Sequence, residues 1–511
     1  MGMDSVHRIL YMEDFNMRSH FLNVIRSIAF LSILEVSLYF INRVLMPKYI
    51  LANNTWPTTS TYYQFYDMEE DSVDVLFFGS SICVNAFCPQ EIYNEYGITS
   101  YNLGSEQQSI ILSYYWLKEA LRFQSPKVVV LDTRFLFDSH EETPINMTEG
   151  MIRKCMDPMR WSAVKREAVS AICELDEKQS ELSYYFTNIR FHTRWESLTE
   201  YDFIEEEYTL SELKGYGPIE EYGADTYDPY TPSGDTETKQ EPQAVMLTYL
   251  DKTVELCREE GIALVLLSLP GSPMSDGINN MLNEYAKSNA VDYYNLCERE
   301  LYNSIGATLP RENMILHGNI WGAIKMSRFM GGLLCNTYGV EAVVDDQYEA
   351  TRDFYERIKQ NCELVHITDM NEYLWAIADK NYTIFISICE EGTAGLTDSI
   401  REILRYLGLG ADFDDMFRSS YCAVISPGAG VYEEAALEQV AFTGTLRDHK
   451  SIYTLISGGH YGGSTSSIVI DGEEYAINYY GMNFVIYDSV LGEVVDHVCF
   501  ETNQQGCGAR R

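Results

Sequence analysis

Residues 73–78 read Val-Asp-Val-Leu-Phe-Phe and stop at Gly79. A short apolar run that meets a glycine predicts a buried strand ending in a tight turn. The pattern recurs. Residues 90–96 predict a short helix, and residues 99–103 a second strand ending at Gly104. Residues 109–123 carry helical periodicity, and residues 127–132 (KVVVLD) predict a third, β-branched strand. Such apolar strands alternating with helices predict an α/β fold whose parallel sheet is covered on both faces. Residues 140–243 break the rhythm. They read as an insertion, helical at first, then acidic around Glu205, Glu206 and Glu207, and ending in a mobile loop near residues 215–240. The rhythm returns with a helix at 244–260, a strand at 263–268, a helix at 277–288, a strand at 291–296 and a closing helix at 321–338.

After Gly339 the pattern changes. Residues 348–360 form a polar helical connector. Strands are expected at 383–388, 422–425, 467–470, 483–487 and 494–500, with a helix at 398–407 ended by Gly408. Asp471-Gly472 and Leu491-Gly492 supply turns between the last three strands. This second, smaller unit is α+β.

Near the start, residues 21–45 are mostly apolar, although Glu35 interrupts them. A membrane-spanning helix needs about 20 such residues. This stretch reaches that length if Arg26 and Arg43 snorkel to the interfaces. No small-residue cleavage site follows, so a single-pass anchor is expected rather than a signal peptide. An amphipathic interfacial or core helix is the other reading. Arg8, Arg18 and Arg26 place the N-terminus in the cytoplasm and the bulk of the chain outside. The expected organisation is residues 1–20 cytoplasmic, 21–45 the transmembrane anchor and 46–70 a linker. Residues 71–338 form the α/β domain, 339–363 a connector and 364–506 the C-terminal domain.

Composition narrows the function. The chain has 511 residues, 37 basic and 76 acidic, for a net charge of −39. Nucleic-acid binding is excluded as the main role, because a phosphate backbone demands Lys and Arg. Charge-driven docking on anionic lipid is excluded likewise. The 12 cysteines show neither a CxxC pair nor zinc-ligand spacing, and read as buried free thiols. His449, His460 and His497 are scattered, and Asp412, Asp414 and Asp415 read as a solvated loop. No metal and no cofactor are expected.

The candidate chemistry sits at strand ends. Ser80 and Ser81 follow the first strand, where an α/β sheet presents side chains to its ligand crevice. Gly104, after the second strand, offers a bare N–H and room for substrate. Far downstream, Leu316-His317-Gly318-Asn319 precedes the closing helix. A histidine there could reach the same sheet edge, and a serine needs such a base to become a nucleophile.

The order strand-Gly-Ser-Ser, strand-Asn-Leu-Gly, strand-Val-Val-Leu-Asp and a late His-x-Asn-x-x-Gly resembles the SGNH/GDSL hydrolase superfamily. The segments Asp74-Val75-Leu76-Phe77-Phe78-Gly79-Ser80-Ser81 and Ser100-Tyr101-Asn102-Leu103-Gly104 resemble its membrane-anchored subgroup, which accompanies cell-envelope glycan synthesis in Gram-positive bacteria. The resemblance implies a three-layer α/β/α domain, with Ser81 as nucleophile and His317 as general base. The oxyanion hole would be built from the N–H groups of Ser81 and Gly104. The implied reaction is ester hydrolysis or O-acyl transfer on an envelope polysaccharide, with a membrane-bound acyl-donor protein as a further partner. Two positions depart from the pattern. Met314 stands where the family places the aspartate that orients the histidine, leaving Glu312 and Asn313 as candidates. The family's third-block asparagine is also missing, with Asp132 or Thr133 near its place. The same departures support an alternative, an inactive SGNH fold that binds glycan or assists envelope assembly.

The C-terminal unit resembles the PANDER/ILEI (interleukin-like EMT inducer) domain. Asn381-Tyr382-Thr383-Ile384-Phe385-Ile386-Ser387, Phe417-Arg418-Ser419-Ser420-Tyr421 and Gly481-Met482-Asn483-Phe484-Val485-Ile486-Tyr487-Asp488 carry that likeness. The G-x-N strand comes last here rather than first, as a circular permutation would produce. The resemblance implies carbohydrate binding, and Tyr461, Tyr479 and Tyr480 are the aromatic candidates for stacking on sugar rings.

Overall fold

The computed structural model describes residues 4–46, 60–139, 143–203, 213–221, 227–306, 317–378, 381–446 and 451–511. The first five helices are α1 (Asp4–Leu45), α2 (Ser60–Phe65), α3 (Ser81–Ala86), α4 (Pro89–Tyr96) and α5 (Ile110–Ala120). Five parallel strands build one sheet: β1 (Val75–Phe78), β2 (Ser100–Asn102), β3 (Val128–Asp132), β4 (Ala263–Ser268) and β5 (Asp292–Asn295). Each falls where the sequence predicts a strand.

Side chains alternate across the pleat. Val75 and Phe77 pack with Ile92 of α4 and with Met326, Met330 and Leu334 of the closing helix Ile320–Asn336. Leu76 and Phe78 pack on the other face with Ile111 and Trp116 of α5 and with Leu250 of the helix Ala244–Glu260. Helices therefore cover both faces of the sheet. Each of these side chains buried in full contributes about 1.5–3 kcal/mol.

Strand order is β2-β1-β3-β4-β5. The connections leaving β1 and β2 thus run to opposite sides of the sheet, and the carboxyl ends of β1 and β3 border the crevice where this topology binds ligands.

The insertion is part of this domain. Its helices Glu149–Met156 and Ala163–Leu175 supply Ile152, Met156, Ala168, Val169 and Ile172 to the same core as Leu76. The stretch read as a mobile loop is pinned where it is described. Lys214 O accepts from Asn102 N at 3.0 Å, Gly217 N donates to Val84 O at 3.2 Å, and Tyr230 N donates to Cys297 O at 2.9 Å. Gly215, at φ +86°, passes so close to β2 that any side chain would collide with the Asn102 carbonyl. Polar composition marked a loop here, but backbone pairing, which composition does not reveal, holds it.

The expected anchor lies within a longer helix. Residues Phe21–Leu45 of α1 are long and apolar enough to cross a membrane, with a mean hydropathy of 1.9 and none of that window buried. Most of the expected linker, residues 47–59, lies outside the described residues.

The C-terminal region is strand-rich, with a ten-stranded mixed sheet. Its strands are β6 (Tyr382–Glu390), β7 (Ser420–Ser426), β8 (Gly430–Ala436), β9 (Val440–Thr445), β10 (Ile452–Gly459), β11 (Thr465–Ile470), β12 (Glu473–Glu474), β13 (Gly481–Asp488), β14 (Glu493–Phe500) and β15 (Ala509–Arg510). Central β6 and β13 are buried on both faces. Ile384, Ile386 and Ile388 meet the helices Met370–Ala378 and Asp398–Tyr406, while Phe385 and Val485 face a second cluster with Leu455 and Ile468. Strands β8, β9 and β10 were not predicted. Asp471 and Gly472, both at positive φ, turn β11 into the short β12 rather than directly into β13. All 12 cysteines are free thiols.

Candidate active site

Three segments remote in sequence meet at the carboxyl ends of β1 and β3. The first is the turn after β1. A side chain at Gly79 would overlap the Cβ of Asp132, so only glycine lets β1 end this close to β3. The next residue, Ser80, is buried and caps α3 in position only. Its hydroxyl donates to Asp132 Oδ2 at 2.7 Å rather than accepting from the helix, and its N–H donates to the same oxygen at 3.2 Å. Asp132 Oδ1 accepts from Arg134 N at 2.9 Å. Burial raises the Asp132 pKa above the usual carboxylate value, and the Ser80 and Arg134 donors oppose that rise.

Ser81 opens α3 and is only partly buried. Its Oγ lies 2.9 Å from His317 Nε2. The histidine is held just before the closing helix, whose N-cap Asn319 accepts from Gly322 N at 3.2 Å. Partial burial lowers the His317 pKa below its usual value, and the nearby Arg134 cation lowers it further. The Glu106 carboxylate opposes both effects. Burial and Arg134 both favour the neutral ring, the form that a base toward Ser81 needs. Glu106 in turn pairs with the buried Lys154. Sequence reasoning placed Ser80 at the strand end without its tie to Asp132, and missed Arg134 and Glu106. Asp132 was visible as the charged end of an apolar strand, and that was the signal for this cluster.

The expected oxyanion donors differ in their commitments. Ser81 N–H lies in the first turn of α3, where helix N–H groups lack an intrahelical acceptor. Gly104 N–H donates to Asn102 Oδ1 at 3.0 Å. Asn102 is fixed in turn, its Nδ2 donating to Cys83 O at 3.0 Å and Phe87 O at 3.1 Å. An oxyanion drawing on Gly104 would share that N–H with Asn102. Glu312 and Asn313, the candidates for orienting His317, lie outside the described residues, as does Met314. Among the described residues no carboxylate hydrogen-bonds to the imidazole, and no group of three His, Cys, Asp or Glu side chains is arranged to hold a metal ion.

The three candidate tyrosines sit elsewhere, at one end of the C-terminal sheet. Gly481 pairs with Cys389 of β6 on one side, and Gly459 pairs with Glu390 on the other. Tyr480 precedes Gly481 and Tyr461 closely follows Gly459, so the aromatics flank the end of β6. Tyr461 is 66% exposed and Tyr480 47%. Tyr479 stacks on Tyr480 with 5.4 Å between centroids, and the Arg510 guanidinium covers Tyr479 at 3.8 Å. Between the two groups, Glu390 bonds His460 Nδ1 at 2.7 Å and also holds Ser464.

No protein-family model matches this chain, and no curated protein matches it.

Proposed function

We propose that this chain is a membrane-anchored serine esterase or O-acyltransferase of the SGNH type, acting on a cell-envelope polysaccharide. The observation that carries the reading is the 2.9 Å contact between Ser81 Oγ and His317 Nε2 at the sheet's ligand crevice. In the first half-reaction Ser81 Oγ attacks an ester carbonyl while His317 takes the hydroxyl proton. The ester C–O bond then breaks, and the alcohol leaves with the proton returned by His317. In the second, water or a sugar hydroxyl loses a proton to His317 and attacks the acyl-serine carbonyl, freeing Ser81. Hydrolysis and transfer differ only in that acceptor. The C-terminal domain would hold the glycan, with Tyr461, Tyr479 and Tyr480 as stacking surfaces. Helix α1 would tether the domain outside the cell beside a membrane-bound acyl donor.

A second reading is an SGNH-type fold that binds glycan without catalysis. It is favoured by the prior engagement of Gly104 N–H with Asn102 and by Met314 standing where the SGNH pattern has its orienting aspartate. Loss of an orienting carboxylate typically costs orders of magnitude in rate.

Labelling of the detergent-solubilised full chain with a fluorophosphonate probe separates the two. The enzyme reading expects covalent labelling that both Ser81→Ala and His317→Ala abolish. A folded wild-type chain that stays unlabelled supports the binding protein instead.

A further inference from the structure

The insertion carries exposed apolar side chains beside the end of α1. Phe186 is 56% exposed, Trp195 67% and Phe203 67%, and Ile189 lies between Phe186 and Trp195 in the chain. Solvent-facing side chains of this size in one short stretch need an explanation, because isolated apolar residues are ordinary and clusters are not. Each of the three aromatics has a chain neighbour tied to the last turn of α1, directly or through one ion pair. Thr187, next to Phe186, donates to Asn42 Oδ1 at 3.0 Å. Arg194, next to Trp195, donates to the Leu45 carbonyl at 2.8 Å. Asp202, next to Phe203, pairs with Arg194 at 2.5 Å. The apolar surface is therefore continuous with the point where the candidate membrane helix ends. Trp161, also half exposed, extends it by stacking on Tyr185 at 4.9 Å.

We infer that this face of the insertion lies in the lipid interface, with Phe186, Ile189, Trp195 and Phe203 at the level of the headgroups and upper acyl chains. Three properties select lipid as the occupant. The surface abuts the end of the apolar stretch Phe21–Leu45. It is rich in aromatics, the side chains that prefer the membrane–water boundary. The two arginines nearest to it are held in pairs, Arg190 with Glu149 and Arg194 with Asp202, and the exposed Glu196 beside Trp195 is left to the water side of the boundary. The α/β domain is thereby held against the bilayer by two contacts rather than swinging on a single helix, so the Ser81 crevice keeps a fixed height above the lipid. The inference rests on α1 spanning the bilayer.

The test uses the full chain reconstituted in phosphatidylcholine vesicles, with and without bromine near the glycerol end of the acyl chains. Bromine quenches only tryptophans in contact with lipid, and α1 contains no tryptophan. Brominated lipid should quench part of the emission, and Trp195→Phe should remove a share of that quenched part. Trp375→Phe, at a comparably exposed position on the C-terminal domain, should leave it unchanged. Phe203→Ser should reduce quenching of Trp195 without lowering the melting temperature. A chain that floats with the vesicles but shows no Trp195-dependent quenching overturns the inference while leaving the anchor intact. If Trp195 is then also shielded from aqueous iodide, a protein covers the face instead of lipid. A chain that does not float with the vesicles overturns anchor and inference together.

Discussion

Ser80 gives both its hydroxyl, at 2.7 Å, and its N–H, at 3.2 Å, to one oxygen of Asp132, tying the end of β1 to the end of β3. Its neighbour Ser81 points the other way and meets His317. Adjacent serines thus have separate partners: Ser80 fixes the turn, and Ser81 is the nucleophile under the proposed function. Ser80→Ala should cost about 1–3 kcal/mol, because buried Asp132 loses a donor, yet it should retain fluorophosphonate labelling. Ser81→Ala should abolish labelling with little change in melting temperature. Thermal melts run beside the labelling gel check both halves. The assignment fails if Ser80→Ala is the variant that loses the label.

The environment of His317 predicts how reactivity follows pH. The base form is the neutral ring, and burial together with Arg134 holds its pKa below the ordinary histidine value of 6.5. The labelling rate should therefore rise with pH, with a midpoint under 6.5. Replacing Arg134 by Gln removes a cation and should move the midpoint up. Replacing Glu106 by Gln removes an anion and should move it down. Opposite shifts from these two variants would identify His317 as the titrating group. A midpoint that neither variant moves would assign the titration to another residue.

Strands β1, β3 and β4 were legible as continuous apolar runs, which occur where both faces of a strand are covered, whereas β2 (SYN) and β5 (DYYN) were legible from their place in the alternation of strand and helix. Strand β8 was not legible, because its residues are mostly exposed and leave no apolar alternation to read; β9 alternates, but only Val440 and Phe442 are large apolar residues on its inward side, too short a signal. The active-site candidates were legible as strand-end residues, but their partnerships were not. Ser81 and His317 meet across 236 residues, and Ser80 and Asp132 across 52. Only the strand order, which places β3 beside β1, creates the second of these contacts. The sequence read Asn102 and Gly104 as one strand-ending motif. That the Asn102 carbonyl occupies the Gly104 N–H depends on a side-chain rotamer, which no pattern of residue types encodes.

The tyrosines at the end of β6 predict a graded effect on glycan binding. Tyr461 presents its ring to solvent, whereas Tyr479 is covered on one face by Arg510 at 3.8 Å. Tyr461→Ala should weaken binding of envelope polysaccharide by about tenfold, the scale of one lost stacking surface. Tyr479→Ala should have the smaller effect. Calorimetric titration of the full chain with polysaccharide checks the order, and equal affinities for all the variants would remove this surface from the binding role.

The junction of connector and C-terminal domain predicts a second, independent pH dependence, this time in stability. Glu493 opens β14 opposite Asp488, and its pKa is raised to about 7, first by burial and then by the negative charges of Asp488 and Glu220. Asp488 is itself held by Arg357 at 2.5 Å and by Asn361 at 3.0 Å. In the unfolded chain Glu493 titrates near 4.5. Between these two values the folded state keeps a proton that the unfolded state has released, so stability falls as pH rises through that window. The contribution is full below pH 4.5 and lost above 7. Glu493 is partly solvated, so solvent screening reduces the effect to about 1 kcal/mol. Glu493→Gln keeps the neutral form at every pH. It should match wild type at pH 4 and melt a few degrees higher at pH 8. Glu473→Gln, on the exposed strand β12, should shift neither melt. A Glu493→Gln chain that is less stable than wild type at pH 8 would mean that the carboxylate is charged and paired in the fold, reversing the sign argued here.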